Sequence, residues 1–186
     1  MKEIRIFARA GQGAITSAII LALAAFEEGK HAFAFPHFGS ERMGAPLNAY
    51  VRLGDKPIRS RSQVKEPDYV LVQDPTLLTG FNVADGLKPG GVVVVNSPEP
   101  PEALGLGLNH GRVVTVPASQ IAQELLGRAD RSNTPLLGAF AAATGEVGLD
   151  ALREAVRQRF PGAAGEKNAQ AIQRGYEFVK SKEAVS

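Results

Sequence analysis

Residues 8–16 read Ala-Arg-Ala-Gly-Gln-Gly-Ala-Ile-Thr, and this stretch joins a short apolar segment to a long one. The preceding Ile4-Arg5-Ile6-Phe7 predicts a buried β-strand, and the uncharged residues 14–25 predict a helix. Gly11 and Gly13 allow a tight turn between the two elements and a close approach of the backbone to a ligand. A strand, a glycine turn and a helix in this order are typical of the first unit of an α/β domain.

The glycine turn has two interpretations. The unpaired N–H groups and the positive dipole end at the start of a helix suit an anion such as a phosphate. However, Thr16 stands where Gly-x-Gly-x-x-Gly has its third glycine, and the Lys-Ser/Thr ending of a P-loop is absent. An anion site and a simple tight turn therefore both remain open.

The rest of the chain alternates strand and helix patterns. Strands are predicted at residues 31–35, 47–53, 68–73, 92–95 and 113–116, and helices at 14–28, 117–126, 135–144, 149–159 and 165–180. Pro36 is expected to end the second strand, and the 31–53 region to form an antiparallel pair. We predict one α/β domain over residues 1–186: a three-layer Rossmann-like sandwich with a mostly parallel, mixed sheet and a helical C-terminal third.

Composition narrows the range of functions. The 21 cationic and 19 acidic residues leave a net charge of +2, without the basic cluster of a nucleic-acid-binding or membrane-binding surface. The chain has no cysteine, so it cannot bind an iron–sulfur cluster through thiolates, and it fits a cytoplasmic protein. No His pair has metal-ligand spacing and no Gly-x-Ser-x-Gly elbow is present. We expect no metal site and no catalytic residue in this chain.

Four polar residues are candidates for a functional or a structural role. The 39–46 loop places Glu41 and Arg42 after a strand end, where open α/β sheets collect ligands. Arg42 could contact an anion, the two could form a salt bridge at a subunit interface, or the loop could be a solvated surface loop. Asp74 is better explained as a helix cap than as a general base, and Asn133 as an N-cap.

Several segments stand in a characteristic order along the chain. They are Gly-Gln-Gly at 11–13, Phe-Pro-His-Phe-Gly-Ser-Glu-Arg-Met-Gly-Ala-Pro at 35–46, Pro-Ile-Arg-Ser-Arg-Ser-Gln at 57–63, Glu-Pro-Asp-Tyr-Val at 66–70, Gln-Asp-Pro-Thr-Leu-Leu at 73–78, Asn-Thr-Pro-Leu-Leu-Gly-Ala at 133–139, Lys-Asn at 167–168 and Gly-Tyr-Glu at 175–177. Together they resemble the gamma subunit of 2-oxoacid:ferredoxin oxidoreductases, the pyruvate type in particular. The chain departs from the family at Ala10, where a glycine usually precedes Gly-Gln-Gly.

The resemblance implies a multi-subunit enzyme that oxidatively decarboxylates a 2-oxoacid, with coenzyme A accepting the acyl group and ferredoxin the electrons. It implies alpha, beta and delta-type partner subunits that carry thiamine diphosphate and [4Fe–4S] clusters. This chain would be a structural component that contributes to a coenzyme A site between subunits. The candidate cofactor-binding residues are Gly11, Gln12, Gly13, Thr16, Glu41, Arg42 and Asn133.

Two alternative functions, and a homodimeric state of the isolated chain, are also considered. A free-standing nucleotide- or phosphate-binding module would use the same glycine turn. A NAD(P) dehydrogenase is disfavoured, because no acidic residue stands at the end of the second predicted strand. The isolated chain could form a homodimer through apolar surface meant for its partners.

Overall fold

The computed structural model of the chain describes residues 1–37 and 44–186. Its strands are β1 (Lys2–Arg9), β2 (His31–His37), β3 (Pro46–Gly54), β4 (Tyr69–Val72), β5 (Val92–Asn96) and β6 (Arg112–Val116). Its α-helices are α1 (Ala14–Glu27), α2 (Ala118–Leu126), α3 (Asn133–Thr144), α4 (Leu149–Arg159) and α5 (Ala163–Val185). Short 3-10 segments span Pro75–Thr79, Pro101–Leu104 and Ala129–Arg131.

The strands form one mixed sheet in the order β2-β3-β1-β4-β5-β6. Strands β1, β4, β5 and β6 run parallel to one another, and β3 is antiparallel to both β1 and β2. Every residue of β4 and β5 is buried, which explains their unbroken apolar sequences. The predicted α/β fold and the antiparallel pair within residues 31–53 are confirmed.

The two faces of the sheet are covered differently. The larger core packs side chains of all five helices against one face. The opposite face carries a smaller cluster, in which Phe7, Val70 and Val93 pack against Leu77, Val83 and partly buried leucines of the loops. The outer layer on that face therefore consists of 3-10 turns and loops, and the α-helices are all on the other side.

The prediction that Pro36 ends the second strand is wrong. β2 continues through Pro36 to His37, which pairs with Asn48 of β3. Because β2 lies at the edge of the described sheet, a residue without an N–H can point its nitrogen outward without breaking the ladder. An edge strand thus tolerates a proline that would interrupt a central one.

Helix α3 is the central helix of the helical layer, and its residues from Asn133 to Ala143 are buried. It crosses α5 at almost backbone contact. A Cβ added to Gly138 would overlap the carbonyl oxygen of Ile172, and one on Gly175 would overlap that of Pro135. At the start of the same helix, the side chain of Asn133 lies against Gly13 of the glycine turn. No helix in the described ranges combines the length and apolar character needed to cross a membrane.

Candidate functional site

The glycine turn leaves the start of α1 open to a ligand. Gly11 and Gly13 have φ values of 93° and 82°, in the left-handed region that favours glycine. No non-glycine residue has positive φ within the described ranges, so the turn does not require a glycine at Ala10. Among the residues that the structure describes, no side chain caps α1, and no acidic residue stands in its first turn. The first N–H groups of α1 therefore lack intrahelical acceptors, and the positive end of its dipole is uncompensated there.

Gln12 braces the turn from within. Its Oε1 accepts the backbone N–H of Arg9 at 2.7 Å, and its Nε2 donates to Oδ2 of Asp74 at 2.7 Å. The carbonyl oxygen of Gln12 accepts a hydrogen bond from Nε2 of Gln73 at 3.0 Å. Both ends of the Gln12 amide are thus used to hold the turn, although the residue also lines the cleft described below.

Asp74 caps the 3-10 segment that follows β4, as predicted. Its Oδ1 accepts from the backbone N–H of Thr76 at 2.9 Å and from the Thr76 hydroxyl at 2.6 Å. Nε of Arg9 lies 3.3 Å from Oδ2. Burial alone would raise the pKa of Asp74, but the hydrogen bonds from Thr76 and Gln12 and the charge of Arg9 outweigh it and lower the pKa.

A cleft of about 690 Å³ opens at the start of α1. The glycine turn and the first turn of α1 form one wall, and the segment before α3 together with the α4–α5 junction forms the other. The structure brings five of the seven predicted cofactor-binding residues to this cleft: Gly11, Gln12, Gly13, Thr16 and Asn133. Glu41 and Arg42 lie outside the described residues.

Asn133 is the first residue of α3, with Ser132 at the cap position, so the predicted N-cap role is wrong. The side chain of Asn133 is instead packed against the turn: its Nδ2 lies 2.9 Å from where a Cβ on Gly13 would stand. The residue is only 6% exposed and its amide has no hydrogen-bond partner among the described residues. Its position in the cleft wall places the amide where a ligand could contact it.

Sequence reasoning missed the charged side of the cleft. Its wall includes Arg128, Arg131, Arg159 and Lys167, which come from three separate elements and form no pattern in the sequence. Arg128 is paired with Asp130 through two contacts of 3.0 and 2.7 Å. The other three make no ion pair with any residue that the structure describes. Three cations of the cleft wall therefore have no ion-pair partner among the residues that the structure describes. Of the three, only Lys167 belongs to one of the family segments.

The cleft also has an apolar part. Ile15, Leu126 and Phe160 line it, and the guanidinium of Arg159 lies 5.1 Å from the centre of the Phe160 ring. Among the described lining residues there is no His, Asp or Glu. The arrangement suits an elongated ligand with phosphates, an aromatic ring and an apolar section, and it offers binding groups rather than an acid–base pair.

The chain is similar to known proteins over most of its length. The model of the family described as pyruvate ferredoxin/flavodoxin oxidoreductase matches residues 3–178. A pyruvate synthase subunit PorC from Methanosarcina barkeri is 52% identical over 184 residues, covering 99% of this chain and 100% of the relative. A pyruvate/ketoisovalerate oxidoreductases common subunit gamma from Thermococcus kodakarensis is 49% identical over 178 residues, covering 95% and 96%.

Solved structures give the same result. The crystal structure of pyruvate oxidoreductase subunit PORC from Thermotoga maritima matches with a TM-score of 0.84 and 38% identity, covering 95% of both chains. A 2-oxoglutarate:ferredoxin oxidoreductase from Magnetococcus marinus, solved with 2-oxoglutarate, coenzyme A and succinyl-CoA bound, matches with a TM-score of 0.78. That match covers 97% of this chain and 31% of the longer one at 22% identity, so it concerns the fold alone. The chain belongs to the pyruvate ferredoxin/flavodoxin oxidoreductase family, as the order of its sequence segments predicted.

Proposed function

We propose that this chain is the gamma subunit of a pyruvate:ferredoxin oxidoreductase and that its cleft holds the phosphate-bearing part of coenzyme A. The complete enzyme oxidatively decarboxylates a 2-oxoacid to an acyl-CoA and passes the electrons to ferredoxin. One observation carries the coenzyme A part: the uncapped start of α1, the amide of Asn133 and three cations without an ion pair line a single cleft in the described structure.

The chemistry of coenzyme A fits this donor set. Its diphosphate and 3′-phosphate need N–H donors and cations, which the start of α1 and Arg131, Arg159 and Lys167 supply. The Phe160 ring suits the adenine, and the apolar wall suits the pantetheine arm. Since no acidic residue or histidine lines the described cleft, this chain binds and orients the ligand, and its partners perform the chemistry.

Two observations support a division of labour between subunits. The chain has no cysteine, so the [4Fe–4S] clusters, like the thiamine diphosphate, are assigned to alpha, beta and delta-type partners. The Thermococcus kodakarensis relative is named as a common subunit of pyruvate and ketoisovalerate oxidoreductases. We therefore assign the choice of 2-oxoacid to the partner subunits, with pyruvate as the substrate and the cytoplasm as the location of the complex.

Affinity purification of the tagged chain from its native host tests the subunit assignment. We expect thiamine diphosphate-binding and iron–sulfur subunits in the eluate, together with coenzyme A-dependent reduction of ferredoxin by pyruvate. Recovery of the chain alone, bound to a free nucleotide, would instead support a free-standing binding module and overturn the proposal.

Neutralising the cleft cations in the assembled enzyme tests the coenzyme A assignment. We expect Arg131→Gln, Arg159→Gln and Lys167→Met each to raise the KM for coenzyme A about threefold to tenfold, because each removes a charge-assisted contact to phosphate. The KM for pyruvate should stay unchanged. Arg174→Gln is the matched control, because Arg174 lies on α5 and pairs with Glu124, and neither residue lines the cleft. If the cleft variants and the control give the same KM for coenzyme A, this cleft does not bind it.

A further inference from the structure

We propose that Asp74 is a positioning residue for this site: it holds the glycine turn in its binding shape by fixing the orientation of the Gln12 amide. This inference rests on the proposed function, because it concerns the same cleft. Asp74 itself does not line the cleft. Its effect on a ligand has to pass through Gln12, which does line it.

The hydrogen bonds around Gln12 have a fixed direction. The backbone N–H of Arg9 can only donate, so Oε1 of Gln12 must face it. Nε2 of Gln12 must then face an acceptor, and Oδ2 of an ionised Asp74 can only accept. The carboxylate therefore selects one of the two possible orientations of the amide. In that orientation the Gln12 side chain links the backbone of Arg9, before the turn, to the side chain of Asp74.

Asparagine cannot replace Asp74 without losing a contact. Oδ2 accepts from Gln12 and approaches Arg9, while Oδ1 accepts twice from Thr76. An amide offers only one oxygen, so its NH₂ group would face either the Gln12 donor or the Thr76 donors. Ion pairing with Arg9 also offsets the negative charge of Asp74, which would otherwise oppose an anion bound at the start of α1.

A purely structural role for Asp74 can be separated from a positioning role with a matched carboxylate. Asp68 precedes β4 and Asp74 follows it, so the two stand at opposite ends of one strand. Their side chains are 14% and 13% exposed, respectively. Asp68 accepts from the backbone N–H of Glu3 at 2.9 Å and from Nζ of Lys88 at 3.1 Å. Glu3 lies at the start of β1, whereas the glycine turn follows the end of that strand. Its loss should affect stability alone.

The test compares the assembled oxidoreductase carrying Asp74→Asn, Asp68→Asn or no substitution. We expect Asp74→Asn to raise the KM for coenzyme A about tenfold, equivalent to about 1.4 kcal/mol, with kcat within about twofold of the unsubstituted enzyme. Hydrogen–deuterium exchange of the 8–16 segment should become faster in the same variant. Asp68→Asn should lower the melting temperature while leaving both the KM and that exchange rate unchanged.

Each outcome separates the inference from the proposed function. An unchanged hydrogen–deuterium exchange rate of the 8–16 segment in Asp74→Asn would overturn the positioning role, whether or not the KM for coenzyme A changes. Faster exchange with an unchanged KM would mean that the turn does not contact coenzyme A, and the inference would fall, while the proposed coenzyme A site would still be decided by the cation variants. If Asp74→Asn does not assemble, Gln12→Met breaks the same link while leaving the Thr76 cap intact, and it should show the same two changes.

A reciprocal exchange gives a rescue test. In the double variant Gln12→Glu with Asp74→Asn, the acid and the amide trade places. The carboxylate at position 12 would accept from the Arg9 N–H and from the amide NH₂ at position 74, while the oxygen of that amide keeps the Thr76 cap. The double variant should return the exchange rate at 8–16 toward the original value, and failure to do so would refute the argument from hydrogen-bond direction.

Discussion

Replacing Gly13 by alanine separates conformational strain from loss of ligand binding. Gly13 has φ of 82°, and an L-residue there is destabilised by about 1–2 kcal/mol, or about 2–8 °C in melting temperature for a chain of this size. The new Cβ would stand 2.9 Å from Nδ2 of Asn133, which can relieve the contact only by turning its amide away from the turn. We therefore expect a modest loss of stability and a larger loss of affinity, with the KM for coenzyme A raised about tenfold or more.

Gly29→Ala is the matched control for this prediction. Gly29 follows the other end of α1, has φ of 77° and has no atom within 4 Å of an added Cβ. It should show the same loss of melting temperature without any change in the KM for coenzyme A. Steady-state assays of the assembled enzyme and thermal unfolding of the purified chain measure the two quantities. Equal KM values for Gly13→Ala and Gly29→Ala would refute the idea that the turn and Asn133 act together on the ligand.

Two further predictions concern stability. Gly175→Ala should destabilise the chain by about 3 kcal/mol or more, because its Cβ meets the backbone of α3, whereas Gly80→Ala, with open space around it, should change little in urea unfolding. Burial tends to raise the pKa of Asp68, but its bonds to the Glu3 N–H and to Lys88, with the charge of Lys2, lower it overall. A carboxylate with a lowered folded pKa stabilises fully above its unfolded pKa of about 3.9 and less as pH falls through the folded value. The difference in unfolding free energy between the unsubstituted chain and Asp68→Asn should therefore be constant above about pH 5 and shrink below about pH 4. A difference that is undiminished at about pH 3 would contradict a lowered pKa for Asp68 in the folded chain.

Local signals predicted most of the secondary structure correctly. Helix α4 spans Leu149–Arg159 as expected, because its apolar positions recur at helical spacing. The cap at Asp74 was predictable because it depends on a hydrogen bond to a residue two positions away. The prediction that Pro36 ends its strand is wrong because a strand can contain a proline when it lies at the edge of the sheet. Local sequence does not show that β2 is such an edge strand.

The candidate site was only half predictable for the same reason. The glycine turn is a local feature: positive φ and an uncapped helix start follow from the residues themselves. Arg131, Arg159 and Lys167 lie more than a hundred residues further along the chain, and they meet the turn only because α3, α4 and α5 pack on the same face of the sheet. The close crossing at Gly138 and Gly175 packs α3, the helix that begins at Asn133, against α5.

The sequence by itself determined the elements, the α/β class, the absence of thiolate ligands and the family. Backbone hydrogen bonds, side-chain periodicity and turn geometry act over a few residues, so these properties can be inferred from short segments. Only the tertiary structure decided that the described α-helices lie on one face, that the Gln12 amide donates to Asp74, and that cations without an ion pair among the described residues share a cleft with the start of α1. Those properties depend on long-range packing, in which side chains distant in sequence share one cleft.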